Sequence, residues 1–281
     1  MTTSRSPALA LVCAAFLASP AAAQPGPAPA ASALTYADLA DLSVDAEAVV
    51  RARVRQAIAV PPERGGAARP GYARVYIEAE TIALIAGSAP LGQSLRYLVD
   101  VPLDPKGKLP KLKKREFIVF AKPVAGRPGE LRLVAPTAQL PWDAALEARL
   151  APILAELSAP DAAPAITGVR DALSVPGTLT GESETQVFLA TPGGDPVSLT
   201  IVRRPGMAPA WGVSFSEIVD QAARPPAQGT LAWYRLACFL PPQLPAGANL
   251  AQDPASRARA AQDYRLVIEQ LGPCPRTRER Q

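Results

Sequence analysis

Proline constrains the folding of this chain more than any other feature. The sequence of 281 residues contains 32 prolines, roughly twice the usual share of about 5%. Each proline fixes one backbone dihedral and lacks the amide hydrogen that helix interiors and central strands need. We therefore expect short elements separated by rigid turns, with few long helices.

Residues 1–23 have the order of a secretory signal peptide. Arg5 supplies a positive charge, an apolar run covers residues 8–18, and small residues follow up to Ala23. This order predicts cleavage after Ala23, and the run is shorter than the roughly 20 residues of a membrane span. Acylation of Cys13 and an uncleaved anchor are the alternatives. Because the Ala-, Pro-, Arg- and Gly-rich composition is typical of a GC-rich bacterium, we expect a periplasmic or secreted protein with no transmembrane segment after cleavage.

Cleavage would leave two cysteines, Cys238 and Cys274. An oxidising compartment favours a disulfide between them. On the chain-entropy model, closing a loop of about 37 residues stabilises the fold by about 3–4 kcal/mol. A metal or redox pair is the alternative, but the sequence has no C-x-x-C motif and no histidine to complete a site. We therefore predict a structural disulfide, no metal and no cofactor.

The N-terminal half carries the period-two alternation of half-buried strands. A helix signal comes first, in residues 35–48, where Thr35 can act as the N-cap. Apolar and polar residues then alternate in three segments between residues 48 and 101, which predicts three strands. Residues 117–120 (FIVF) are apolar on both faces, which is typical of a central or covered strand.

A fifth strand and a helix complete this half. Residues 130–135 (ELRLVA) form the strand, and Asp143 is the predicted N-cap of the helix, with Pro152 expected to kink it. Five strands and a closing helix predict a small β-barrel or curled antiparallel sheet over residues 35–158.

The order AVVRARV, RVYIEAETIALIAG, KKREFIVF is similar to the OB-type barrel of netrin-like and tissue-inhibitor-like secreted modules. The resemblance covers residues 47–140 and implies an OB-like fold. The cysteines that staple those modules are absent, so it transfers no functional residue. Elsewhere, SETQVFLAT and WGVSFSEIVDQAARPP resemble uncharacterised exported proteins of alphaproteobacteria, a resemblance that implies no activity.

The predicted domains are separated by a Pro/Ala-rich linker at residues 159–165, and a flexible leader covers residues 24–34. In residues 166–281, QVFLAT and VSLTIVRR predict a hairpin, and WGVSF and TLAWYRLACFL two further strands. Asp253 begins a final helix that Gly272 ends. The predicted class is α+β, with a second antiparallel sheet and one C-terminal helix, which the disulfide joins to the strand holding Cys238.

The absence of histidine excludes Ser-His-Asp and Cys-His nucleophilic sites and histidine-bound metals. No nucleotide-binding motif is present either. A carboxylate-pair glycosidase remains possible because two acids suffice for that chemistry. Glu182 and Glu184, which share one face of an extended segment, are the catalytic candidates. Two solvated acids before a hairpin are the other interpretation.

A basic run precedes the FIVF strand. Lys111, Lys113, Lys114 and Arg115 could bind an anionic envelope component or an acidic protein. They could equally act as gatekeepers that keep the aggregation-prone strand soluble. Nucleic acid is not expected, because no aromatic residues are interleaved with the cations. The 29 basic and 25 acidic residues of the whole chain are also nearly balanced.

Four other residues receive structural roles. Trp211 and Trp233 lie in strand-like runs, which favours core packing over binding. Asp100 and Glu116 occupy outward positions of their strands, so we expect neither to need a special partner.

By exclusion, the sequence favours a non-catalytic periplasmic protein that binds a protein or an envelope component. A carboxylate-dependent hydrolase of an envelope glycan and a structural or stress-related envelope factor are the alternatives.

Overall fold

The computed structural model describes residues 34–88, 90–216 and 224–279. The predicted signal peptide lies outside these ranges, as does the predicted leader except for Leu34. The chain is an α+β protein with two antiparallel sheets and few helices. Its elements are α1 (Tyr36–Val44), β1 (Ala48–Ala59), α2 (Pro62–Gly65), β2 (Tyr72–Ala86), β3 (Ser94–Pro102), β4 (Glu116–Pro123), β5 (Leu131–Leu133), β6 (Gln139–Pro141), α3 (Ala144–Ser158), β7 (Gly168–Pro176), β8 (Ser183–Ala190), β9 (Ser198–Arg203), β10 (Ala210–Ser214), α4 (Leu231–Ala237), a 3₁₀ turn (Ala246–Ala248) and α5 (Pro254–Leu271).

The N-terminal sheet contains six strands in the order β3-β2-β1-β4-β5, with β6 also paired to β4. The long strand β1 is central and pairs antiparallel with both β2 and β4. The edge strands β3 and β5 meet through an isolated parallel bridge between Arg96 and Glu130. Over the described ranges, this sheet therefore curls without closing into a barrel.

The predicted alternation of the N-terminal strands is confirmed by burial. Val75 and Ile77 of β2 and Leu95 and Tyr97 of β3 all lie in one apolar cluster inside the curled sheet. The FIVF strand is buried on both faces, also as predicted: Phe117 and Val119 face this cluster, while Ile118 and Phe120 join a second one.

The C-terminal sheet has the order β10-β9-β8-β7, all antiparallel. The predicted hairpin is confirmed, since β8 pairs with β9, and the WGVSF strand follows as β10. Sequence analysis missed β7, a strand with no strict alternation of apolar residues. It also missed the three-residue strand β6.

The prediction of a strand over TLAWYRLACFL is wrong, because residues 231–237 form α4. The hydroxyl of Thr230 caps this helix by accepting a hydrogen bond from the amide of Trp233. The run from Trp233 to Leu236 is buried, which is typical of a helix surrounded by other elements. An apolar run of this length suits a buried strand equally well, so the C-terminal half contains one helix more than expected.

The three predicted helices begin at the predicted residues. Thr35 forms a capping box with Asp38 at the start of α1, and Asp143 and Asp253 cap α3 and α5. Helices α1, α3 and α4 contact one another, while α5 packs on β7 and β8. The second apolar cluster, which these helices share, has members on both sides of residues 159–165. The division into two domains there stays a prediction.

Cys238 and Cys274 form the predicted disulfide. Because Cys238 is the C-cap of α4, the bond joins the ends of α4 and α5 rather than a helix and a strand. It also anchors the C-terminal tail, residues 273–279, which follows Gly272. Within the described part of the chain, no helix is both long and apolar enough to cross a membrane.

Candidate functional site

The basic run lies in the loop between β3 and β4. Lys111, Lys113, Lys114 and Arg115 are exposed, whereas Leu112 between them is buried. Backbone hydrogen bonds join the loop to Val54 of β1. These cations line neither of the cavities described below. Both interpretations of the run, binding site and gatekeeper, remain predictions.

Glu182 and Glu184 do not face a shared cleft in this structure. The carboxylate of Glu182 accepts hydrogen bonds from the backbone amides of Thr178 and Leu179, in the turn before β8. Glu184 is exposed and accepts from the side-chain amide of Gln186. Neither glutamate lines the two cavities described below.

Asp100 and Glu116 have specific partners, so the expectation that they need none is wrong. Asp100 is only 5% exposed and accepts two hydrogen bonds from the guanidinium of Arg74, at 2.8 and 3.1 Å. Glu116 accepts from Arg53 and Arg51, which hold its pKa below the usual value despite partial burial. Arg74 and Asp100 are register partners, as are Arg53 and Glu116. Such pairs become visible only once the strand register is known.

Trp211 and Trp233 are buried, as their expected core roles require. The indole nitrogen of Trp233 donates to the carbonyl oxygen of Leu271, and that of Trp211 donates to Gln270. Both side chains therefore fasten α5 to the rest of the fold.

A charged cavity of about 220 Å³ lies where the two halves of the chain meet. Its walls come from α1, the segment between β5 and β6, α4 and the C-terminal tail. We call it the Arg235 cleft. Its lining residues are Asp38, Asp41, Leu42, Val44, Asp45, Val134, Ala135, Thr137, Ala165, Tyr234, Arg235, Phe239, Arg278 and Glu279.

Asp38 fixes the C-terminal tail against α1. Besides capping the helix, its carboxylate accepts hydrogen bonds from the backbone amides of Thr277 and Arg278 and from the Thr277 hydroxyl. Burial alone would raise the pKa of Asp38, but the hydrogen bonds from Thr35, Thr277 and Arg278 outweigh it and lower the pKa. This buried carboxylate is therefore ionised, and both of its oxygens accept hydrogen bonds from the protein.

Asp41 has a similar role one turn further along α1. Its carboxylate accepts from the Arg276 guanidinium, at 2.6 Å, and from the Tyr234 hydroxyl, also at 2.6 Å. Two of the three aspartates in the cleft are thus engaged by the protein itself. The third, Asp45, is exposed at the end of α1.

Arg235 is the most unusual residue of the cleft. It is only 8% exposed, and its Nε donates to the carbonyl oxygen of Ala163 at 3.3 Å. In the described ranges its two terminal nitrogens make no hydrogen bond, and its guanidinium makes no ion pair. Burial lowers the pKa of Arg235, with Tyr234 and Asp45 acting in the opposite direction. An arginine nevertheless stays protonated under ordinary conditions, so this is a buried positive charge.

Arg278 contributes a second cation from the C-terminal tail. Its Nη2 donates to the carbonyl oxygen and the hydroxyl of Thr137, at 2.9 and 2.8 Å. Burial lowers the pKa of Arg278 as well, while Asp38 opposes the change. No salt bridge of Arg278 is found with any described carboxylate.

Arg235 is therefore a buried charge that no described carboxylate pairs, although the exposed Asp45 and Glu279 also line the cavity. Asp38 is held by hydrogen bonds from the tail and Asp41 by the Arg276 guanidinium, whereas Arg235 and the half-buried Arg278 form no salt bridge with a described carboxylate. Burying an unpaired charge costs several kcal/mol, so this arrangement is unfavourable unless an anion or water occupies the cleft. The guanidinium donors of the cleft can therefore bind the oxygen atoms of a carboxylate or another oxyanion.

Across the residues that the structure describes, no group of three or more His, Cys, Asp or Glu side chains is placed to hold a metal ion. Arg235 itself escaped the sequence analysis because its segment was assigned to a strand. The available signal was a single arginine within the apolar run LAWYRLACFL.

Comparison of the chain with protein-family models and with curated proteins gave no match.

Proposed function

We propose that this chain is a non-catalytic binding protein that receives an anionic group of a protein or envelope component in the Arg235 cleft. One observation carries the proposal: a guanidinium that is more than nine-tenths buried lines a cavity and has no carboxylate partner in the described structure. Buried charges in proteins are ordinarily paired. A ligand oxyanion would supply the missing partner.

The chemistry of arginine narrows the class of ligand. A guanidinium presents planar, paired donors that match the two oxygens of a carboxylate, or those of a phosphate. Arg278, whose Nη2 donates to Thr137, also lines the cavity. The cavity of about 220 Å³ is smaller than the roughly 300–1,000 Å³ typical of drug-sized ligand pockets. It suits a small acid or one acidic side chain.

A binding role fits the chemical state of the carboxylates better than a catalytic one. Asp38 and Asp41 are held by charge-assisted hydrogen bonds, which leaves no free acid–base pair beside Arg235. The glycan-hydrolase alternative relies on Glu182 and Glu184. The carboxylate of Glu182 already accepts hydrogen bonds from backbone amides of the turn in which it lies. A purely structural envelope factor would have no reason to keep Arg235 unpaired.

We also infer export and an OB-like N-terminal sheet. The disulfide supports export, since such bonds persist in oxidising compartments. The strand order β3-β2-β1-β4-β5 and the parallel bridge between β3 and β5 support the OB-like arrangement, a partly open five-stranded barrel.

The test is isothermal titration of the oxidised protein with acetate, succinate and phosphate. We expect one of these anions to bind and Arg235→Met to weaken binding by about 10–100-fold, the value of one charge-assisted hydrogen-bonded contact. Arg265→Met is the matched control, because Arg265 is an exposed arginine of α5 outside the cleft. Equal affinity in wild type and Arg235→Met would refute the proposal, as would no binding of any of the three anions.

A further inference from the structure

A second cavity adjoins the Arg235 cleft. It has a volume of about 380 Å³ and lies between β3 and the residues that follow β5. Val134 and Ala135 line both cavities, so a single chain segment forms the wall between them. The wall is fixed on both sides: Asp100 donates its amide to Pro136, and Val134 donates its amide to Phe120.

The second cavity is predominantly apolar. Leu98, Leu131 and Leu133 line it, and Leu98 is 46% exposed. Leu98 also stands directly opposite Tyr76, which is opposite Ile58, another leucine-sized side chain that is 46% exposed. An apolar row thus runs from the cavity across three strands. Contiguous exposed apolar surface of this kind marks interaction sites.

The charged residues that line the second cavity are Arg74, Asp100 and Arg132. Arg74 is neutralised by Asp100, whereas Arg132 is exposed and forms no ion pair with the residues that the structure describes. Together with Arg235 and Arg278, this gives three arginines along the two cavities that form no salt bridge with a described carboxylate, while the exposed Asp45 and Glu279 also line the Arg235 cleft. The arginines offer hydrogen-bond donors to an acidic group, and the leucines beside them offer apolar surface.

We propose that the two cavities form one site for an extended acidic peptide, with a carboxylate in the Arg235 cleft and an aliphatic side chain in the second cavity. This inference rests on the proposed function of the Arg235 cleft and adds the class of partner. Neighbouring extended chains lie about 5 Å apart, and residues i and i+2 of a strand about 7 Å apart. Side chains of one peptide, a few residues apart, can therefore enter cavities that a single segment separates.

Other envelope ligands fit this lining less well. Oligosaccharides bind largely by stacking on aromatic rings, and the second cavity is lined by aliphatic side chains with no aromatic residue among them. An acyl chain would lie against the Arg74–Asp100 ion pair without replacing any of its hydrogen bonds. A side chain the size of leucine would contact only the apolar part of the lining and leave the ion pair uncovered.

The experiment compares a peptide with a small anion on the same variants. The probe is a fluorescein-labelled Gly/Ser peptide with one leucine and one glutamate separated by one to three residues, followed by anisotropy. We expect Leu98→Asp to weaken peptide binding at least about tenfold, the value of burying one leucine side chain, without changing the affinity for succinate. Arg235→Met should weaken both. Replacing leucine by serine, or glutamate by glutamine, in the peptide should give the same losses.

Two further variants keep this test decisive. Leu84→Asp is the matched control, because Leu84 is a 41% exposed leucine of the same sheet that lines neither cavity. Leu98→Ser replaces Leu98→Asp if the charged variant fails to fold, as judged by circular dichroism. Leu84→Asp should bind the peptide as wild type does.

The outcomes separate the two proposals. If succinate binding depends on Arg235 but the leucine of the peptide and Leu98 make no difference, the peptide inference is overturned and the anion-binding function stands. If succinate is displaced by phosphatidylglycerol vesicles and not by the peptide, the partner is a lipid head group and the inference is again overturned. If none of acetate, succinate and phosphate binds, and the peptide does not bind either, both proposals fail.

Discussion

Two arginines pack into the C-terminal half, and the fold treats them differently. Arg203, at the end of β9, donates to the carboxylate of Asp263 at 2.5 Å, and this fully buried aspartate also accepts from the Thr185 hydroxyl. Arg235, on α4, is more deeply buried than Arg203; in the described structure its Nε donates to the carbonyl oxygen of Ala163, and its guanidinium carbon lies 5.8 Å from the centre of the Tyr234 ring. One charge is matched within the protein and the other is left open toward a cavity.

The difference does not arise from a shortage of acids near Arg235. Three aspartates line the same cleft, but the C-terminal tail occupies Asp38 and Asp41 through its backbone amides and Arg276. In the described structure the tail thus engages Asp38 and Asp41, while Arg235 and Arg278 form no salt bridge. We take this asymmetry as the mark of a binding site, because local departures from good pairing concentrate where a protein functions.

Breaking the ion pair between Arg203 and Asp263 should give the largest loss of stability. Asp263→Ala leaves the half-buried Arg203 guanidinium without its carboxylate and the Thr185 hydroxyl with Ser174 alone, so we expect the free energy of unfolding to fall by about 3–5 kcal/mol. Urea denaturation followed by circular dichroism measures it. Asp161→Ala, at an exposed aspartate, is the control and should change little. A loss below about 1 kcal/mol for Asp263→Ala would mean that the pair is not structurally important.

Releasing the tail should come next in size. The double variant Cys238→Ala/Cys274→Ala removes the anchor of residues 273–279, and on the chain-entropy model it costs about 3–4 kcal/mol. We also expect faster hydrogen exchange at the amides of Thr277 and Arg278. Without the disulfide the tail is a mobile chain end, so the hydrogen bonds from these amides to Asp38 would open more often. Unchanged exchange at these two amides would show that the disulfide does not position the tail.

Asp38 should make the tail sensitive to acid. Its pKa is lowered in the folded state, so its contribution is complete above the unfolded value of about 4 and is lost as the pH falls through the folded pKa. We expect Asp38→Asn to cost about 1–3 kcal/mol at neutral pH and to flatten the loss of stability on acidification. Unfolding free energies measured from neutral pH down to about pH 3 check this. Equal pH slopes in wild type and variant would contradict it.

The smallest effect on stability is expected at the basic run. Lys111, Lys113, Lys114 and Arg115 are exposed, so changing all four to serine should alter the unfolding free energy by less than about 1 kcal/mol. If the cations are gatekeepers, the refolding yield of this variant should fall through aggregation. A normal refolding yield, combined with loss of a partner captured from envelope extract by the wild type, would instead assign the run to binding.

Local chemistry was predictable from the sequence. Leu95, Tyr97 and Val99 recur with a period of two, Asp143 and Asp253 are strong N-caps, and the two cysteines outside the predicted signal peptide leave one pairing. Each of these signals can be recognised within a few residues of the sequence or without knowledge of the three-dimensional structure. The FIVF strand was also predicted correctly, because four consecutive apolar residues in a β-strand require cover on both faces, as the structure shows.

The cleft was not predictable, because it depends on contacts between distant residues. Asp38 and Thr277, whose hydrogen bonds position the tail, are separated by 239 residues. Helix α4 was misassigned because aromatic and aliphatic residues in a short run suit a buried strand or a buried helix equally well. With α4 placed in a strand, Arg235 could not be placed beside α1 or the C-terminal tail.

The most direct measurement is the unfolding free energy of wild type and Arg235→Met, each with and without saturating succinate. We predict that Arg235→Met without ligand is within about 1 kcal/mol of wild type or more stable, since it removes an unpaired buried charge. At a succinate concentration about 100 times the wild-type dissociation constant, wild type should gain about 2.7 kcal/mol and the variant only about 0.4–1.4 kcal/mol, since its affinity is about 10–100-fold lower. A variant that is several kcal/mol less stable, yet stabilised by succinate as much as wild type, would show that Arg235 is structural and that the anion binds elsewhere.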